Sequence, residues 1–173
     1  LRARVVHLRD APPGTTVGYG ATYAAHGWER WATLAIGYGD GLPRALGNSG
    51  QALLGGRRVP IVGRISMDLT VVNISGSDGV EIGDVATLIG ESGAERITVD
   101  EVARLAGTIS YEVLTGLAPR LPRIWCLLGN GSPVGHSPLF KLLCVSPRSV
   151  GCLGTDPHVG LISLFKLLRA SPC

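Results

Sequence analysis

Three short stretches gather the residues that could do chemistry. Residues 36–44 read IGYGDGLPR and place three glycines, a tyrosine, an aspartate and an arginine within nine residues. Upstream, Gly18, Tyr19 and Gly20 repeat the Gly-Tyr-Gly pattern, with Thr22 and Tyr23 close behind. Downstream, Gly63, Arg64, Ile65, Ser66, Met67 and Asp68 form a third cluster. Phenol, carboxylate and guanidinium groups hold protons and bind small charged molecules, and exposed glycine-rich loops are where such groups tend to act. Asp40 reads as a short acid tying down its own glycine loop, and Tyr23 as packing. Metal chemistry has less footing, because His7 and His26 have no second ligand at a recognisable spacing and the cysteines fit no CxxC pattern.

Short strands must position these loops. Residues 2–9, RARVVHLR, alternate loosely between charged and apolar and read as a strand with one wet face. Pro12, Pro13 and Gly14 turn the chain, and residues 15–19 suit a return strand that ends at the first Gly-Tyr-Gly. A strand over 28–36 runs out into the central loop, with Trp31, Thr33 and Ala35 facing oppositely to Ala32, Leu34 and Ile36. Asn48 to Gly50 reads as a turn, and Gly55-Gly56 as a hairpin between strands at 51–54 and 57–62. Further strands are expected at 69–74 and 85–89. A helix is expected over 98–105, capped by Thr98 and ended by Gly107, and a second short one over 111–117. The sum is a mainly β fold, an antiparallel barrel-like domain with one or two short helices. A helix-turn-helix reading of the last two elements is disfavoured, since Glu112 is the one charged residue from 110 to 119.

Composition divides the chain near Trp125. Residues 1–125 carry twelve basic and twelve acidic side chains, and the net +3 arises from Lys141, Arg148, Lys166 and Arg169 against Asp156. A basic excess confined to the tail does not argue for nucleic-acid binding by the folded part. Cys126, Cys144, Cys152 and Cys173 also lie in the tail, so residues 1–125 suit a reducing cytoplasm. No apolar run is long enough to span a membrane, and no secretory leader is recognisable. Residues 134–147, VGHSPLFKLLCVSP, return as 159–172, VGLISLFKLLRASP, a repeat with a period of 25. Two Pro-, Gly- and Ser-bearing copies cannot build a continuous core, so 126–173 is expected to be a poorly structured, disordered or non-native tail. The chain begins at Leu1 and reads as a fragment.

The ordered set VGYGATY, IGYGDGLPR, VPIVGRISMD and GTISYEVLTGLAPRLPR closely resembles the C-terminal domain of alanine racemase. The resemblance covers residues 1 to about 125 and implies a pyridoxal-phosphate isomerase that interconverts L- and D-alanine for peptidoglycan. It implies that Tyr19 is one of the two acid/base groups and that Arg44 is the arginine supporting it. Tyr38 would line the mouth of the site, and Met67 and Asp68 would lie at the same mouth, with the Met67 amide holding the substrate carboxylate. Tyr111 would bind the cofactor phosphate. The resemblance further implies a homodimer with shared sites and an N-terminal (β/α)8 barrel carrying the cofactor lysine. Neither Lys141 nor Lys166 is a credible attachment lysine, so this chain is expected to be silent alone. The alternatives are a related racemase of serine or another amino acid, and an orphan β domain that binds a protein partner.

Overall fold

Ten residues, RARVVHLRDA, make the longest strand, β1 (Arg2–Ala11), which lies inside the main sheet and not at its edge. The computed structural model describes residues 1–127 and 140–144. Beyond the small hairpin β2 (Thr16–Val17) and β3 (Tyr23–Ala24) come β4 (Glu29–Leu34), β5 (Gln51–Leu54), β6 (Arg57–Pro60), β7 (Thr70–Asn73) and β8 (Val85–Thr87). Six of these strands pair in the order β6-β5-β8-β1-β4-β7, antiparallel throughout. The chain leaving β6 then meets β7, through the bridge Ile61 to Val72 and a 2.9 Å hydrogen bond from the Val62 amide to the Val71 carbonyl. The two edges of the sheet therefore come together, which gives the barrel-like closure expected from many short strands.

Register explains which residues enter the core. β1 is irregular between Val5 and His7, so Val5 is buried while Val6 and His7 both face solvent. An extra residue of this kind shifts the inward face of a strand, so that Leu8 packs against the main core beyond it and Ala11 is buried in a separate cluster. The alternation expected for 28–36 is present, but both faces are covered. Leu34 and Ile36 enter the main core, and Trp31 packs in a second cluster with Ala11, Ala25 and Val62. The return strand expected over 15–19 shrinks to β2, which pairs with β3 across the Tyr19 turn.

The remaining elements close one end of the sheet. β9 (Gly90–Ser92) and β10 (Glu95–Ile97) form a hairpin that the polar run ESGAER did not announce. α1 (Val99–Ala106) starts where expected, with the Glu101 amide donating to Thr98 Oγ1 at 3.1 Å, and stops at the left-handed Gly107. α2 (Ser110–Thr115) follows, and Val102, Ala103 and Val113 bury the pair against the main core. Arg58 on β6 ties these parts together, donating to Glu95 at 3.0 Å and to Glu101 at 2.6 Å. β11 (Arg123–Leu127) pairs with β12 (Phe140–Cys144), aligning Trp125 with Leu142. Of the tail expected to be poorly structured, only 126–127 and 140–144 are described, as strand. The rest of the tail, including the whole second copy of the repeat, lies outside the described residues. No described helix is long and apolar enough to cross a membrane.

Candidate active site

After β4 the chain stays buried through Ala35 and Ile36, then breaks into a 3-10 turn at Tyr38–Asp40. Asp40 is itself buried. Its Oδ2 accepts the Gly37 amide at 3.0 Å, and its Oδ1 accepts Arg120 Nε at 2.7 Å. The structural reading of Asp40 thus holds, and the acid also anchors a distant arginine. The turn rests on the Met67 segment, with the Tyr38 amide on the Ser66 carbonyl at 3.0 Å and the Gly39 amide on the Met67 carbonyl at 2.8 Å. A Cβ at Gly37 would fall 2.2 Å from the Ser66 carbonyl oxygen, so the approach requires glycine. Arg120 completes the fastening, because its Nη2 donates to Asp68 Oδ1 at 2.9 Å. Asp40 first, and then Asp68, raise the Arg120 guanidinium above its ordinary value.

Tyr19 sits on the β2–β3 hairpin, flanked by Gly18 at φ 75° and Gly20 at φ 74°. This turn rests on the corner at Gly63 and Arg64, where a Cβ at Gly18 would come 2.8 Å from the Arg64 amide nitrogen. The hairpin is held from behind by Tyr23, whose hydroxyl donates to Glu29 at 3.0 Å. Glu29 also accepts from Trp31 Nε1 at 2.6 Å, Asn73 Nδ2 at 2.9 Å and the His26 amide at 3.1 Å. Burial pushes the Glu29 carboxyl up, but hydrogen bonds from Trp31, His26 and Tyr23 outweigh it and leave it below the usual value. Burial, then the bond to Glu29, pushes the Tyr23 phenol up. The reading of Tyr23 as packing agrees with its ring lying against Trp31 and His26.

Tyr111 is carried by α2, whose exit lies on the Tyr38 turn through the Ala118 amide and the Asp40 carbonyl at 3.0 Å. Arg44 begins a second 3-10 turn, Arg44–Leu46, and is exposed. No hydrogen bond among the described residues joins Arg44 to Tyr19. Arg64 is the guanidinium beside the Tyr19 turn, with its Nη1 3.0 Å from where a Gly20 Cβ would stand. Residues 63–68 therefore form a strap in contact with the Tyr19 turn at one end and the Tyr38 turn at the other.

The tyrosines divide by what their hydroxyls do. Tyr23 spends its hydroxyl on Glu29, whereas Tyr19, Tyr38 and Tyr111 are 66%, 45% and 75% exposed and find no hydroxyl partner among the described residues. Met67 is 54% exposed, and its amide likewise has no partner there. Three residues of this arrangement were not singled out from sequence. The sequence alone gives Arg64 and Arg120 no role and marks Asn48 only as a turn residue. Asn48 does carry a local signal, since asparagine is enriched where φ is positive, and its φ is 62°.

A sequence profile of the alanine racemase C-terminal domain matches residues 1–125. The chain belongs to the alanine racemase family. An alanine racemase of Halothermothrix orenii is 43% identical over 122 residues, 70% of this chain and 32% of that protein. The biosynthetic alanine racemase of Pseudomonas aeruginosa is 41% identical with a TM-score of 0.65, covering 70% of this chain and 33% of its own. The Bartonella henselae racemase, solved with covalently bound pyridoxal phosphate, is 36% identical with a TM-score of 0.63, covering 68% and 32%. The chain thus spans about a third of the length of the racemases it matches.

Proposed function

We propose that this chain supplies the C-terminal part of a pyridoxal-phosphate-dependent alanine racemase, a cytoplasmic isomerase interconverting L- and D-alanine for peptidoglycan, and that residues 1–125 are its domain. The observation that carries the reading is the set of exposed hydroxyls of Tyr19, Tyr38 and Tyr111, without a partner among the described residues, on two turns and a helix whose backbones are fastened together. Exposed phenols held on tied backbone suit groups whose partners lie outside the chain. Met67, Leu69, Ile109 and Leu114 add exposed apolar surface on these loops and on α2, which favours a site completed by a barrel domain and a second subunit.

The donor set fits part of the cofactor. Tyr111 Oη can donate to a phosphate oxygen, and the Met67 amide can donate to the substrate carboxylate. Covalent attachment needs a lysine, and residues 1–125 contain none. Pyridoxal phosphate, when bound, supplies the electron-withdrawing ring that acidifies the substrate α-carbon. Tyr19 Oη holds or takes the proton on one face of that carbon. A phenol with an ordinary pKa of about 10 is a weak base at neutral pH, so it works only with a cation near its oxygen. Arg44 fills that role, since its guanidinium stays charged and its planar fork can orient a phenolate. Tyr38 and Asp68 line the mouth, and Asp68 is steadied there by Arg120.

Tyr19→Phe in a complete racemase containing this domain tests the assignment. The expected result is a loss of alanine racemisation of about 10² to 10⁴-fold, the usual worth of a positioned acid or base. Racemisation at the parent rate in both directions would overturn it. The chain on its own should convert no alanine, with or without added cofactor.

A further inference from the structure

We propose that Asn48 is a positioning residue that sets the spacing between Tyr19 and Arg44. The inference rests on the reading of those two residues as acid/base group and supporting cation.

Asn48 is locked to the Arg44 turn. It follows Gly47, whose amide donates to the Arg44 carbonyl at 3.2 Å. Leu46 is buried and anchors that turn, and Ser49 Oγ donates back to the Ala45 carbonyl at 3.1 Å. Asn48 itself stands at φ 62°, a conformation that costs most residues energy and that asparagine tolerates better than most. In that conformation its amide reaches in two directions. Oδ1 accepts the Gly63 amide at 2.6 Å, at the corner on which the Tyr19 turn rests. Nδ2 donates to Thr22 Oγ1 at 3.2 Å and to the Thr22 carbonyl at 3.4 Å, on the segment that closes the Tyr19 turn. Among the described residues this is the one side-chain bridge between the Arg44 turn and the β2–β3 hairpin.

The backbone contacts at this corner show why a bridge of this kind is needed. Gly63, at φ 73°, would place a Cβ 2.8 Å from the Val17 carbonyl oxygen, so main chain meets main chain at this point, with only the Val17 side chain beside it. Such contact sets how closely the two approach but offers little to resist sliding, because it lacks directional bonds. The Asn48 amide supplies them. The effect of a cation on a phenol falls with distance, and Arg44 makes no hydrogen bond to Tyr19 in this chain, so their spacing must be imposed by the segments that carry them.

Two experiments test the role. In the full 173-residue chain, amide exchange at Gly63 is followed by NMR in the parent, Asn48→Ala, Asn48→Gly and Asn48→Asp. Glycine keeps the positive φ and loses both bonds, whereas aspartate keeps the acceptor for Gly63 and loses the donor to Thr22. Faster Gly63 exchange in Ala and Gly, with protection retained in Asp, is the expected pattern. In a complete racemase containing this domain, Asn48→Gly should lower kcat about tenfold or more while KM moves within about twofold, the signature of a misplaced reacting group. Asn48→Asp should also lower kcat, which a role confined to holding Gly63 would not produce.

Protection of Gly63 unchanged in both Ala and Gly would overturn the bridge. A parent-like kcat in Asn48→Gly, with Gly63 exposed to exchange, would overturn the positioning role. An inactive parent racemase would remove the functional reading and the role together, while the exchange result would still report the bridge.

Discussion

Tyr19 and Tyr23 stand four residues apart and use the same functional group in opposite ways. Tyr23 turns its hydroxyl inward to Glu29, and Tyr19 leaves its own exposed. Tyr23→Phe should therefore lower the unfolding free energy by about 1 kcal/mol, the net worth of one hydrogen bond, whereas Tyr19→Phe should leave it unchanged. Urea denaturation of both variants checks the contrast. Arg120 works at the same scale, since one guanidinium joins the Tyr38 turn to the Met67 segment through Asp40 and Asp68. In a complete racemase, Arg120→Ala should raise KM about tenfold with a smaller change in kcat, because it loosens the segment assigned to the substrate carboxylate. Steady-state kinetics in both directions would show it. A fall in kcat at constant KM would count against that assignment.

Among the elements, the helical end of the sheet depends on α1 and the ion pairs beside it. Thr98→Ala should cost about 1 kcal/mol, as loss of an N-cap usually does. Glu101 is held below the usual carboxylate value, first by its hydrogen bond to Arg58. Glu29 is also low, its hydrogen bonds outweighing its burial. A carboxylate whose folded pKa is depressed adds stability above its unfolded value of about 4.3, and that stability is lost as pH falls through the folded value. Denaturation measured from about pH 6 down to pH 3 should show this decline, and Arg58→Ala should reduce the part due to Glu101. Most elements were legible in the sequence because their signals are local: Gly55-Gly56 between apolar runs, Thr98 before a helix, Gly107 after it. The β9–β10 hairpin was not, because ESGAER carries no alternation of apolar residues to mark it. Nor was the bulge in β1, which depends on how the strand meets its neighbours.

For the molecule as a whole, the ordered motifs identified the family and the described strands close into a barrel-like sheet as expected. The sequence could not show how the motifs are joined, because the joints are long-range. Arg120 lies 80 residues from Asp40, and Asn48 lies 15 from Gly63 and 26 from Thr22. Such partners follow from folding the sheet, and local pattern does not contain them. The strap at 63–68 touches one turn at Gly18 and the other at Gly37, and at both places main chain lies directly on main chain. A surface assembled in this way has little material at its seams for selection to adjust. Side chains facing the substrate can be exchanged one at a time, but the seams change only by disruption. In a saturation library of this domain, the most intolerant positions should then include Gly18 and Gly37, which bear no reactive group, and changes of substrate preference should arise elsewhere on the assembled site.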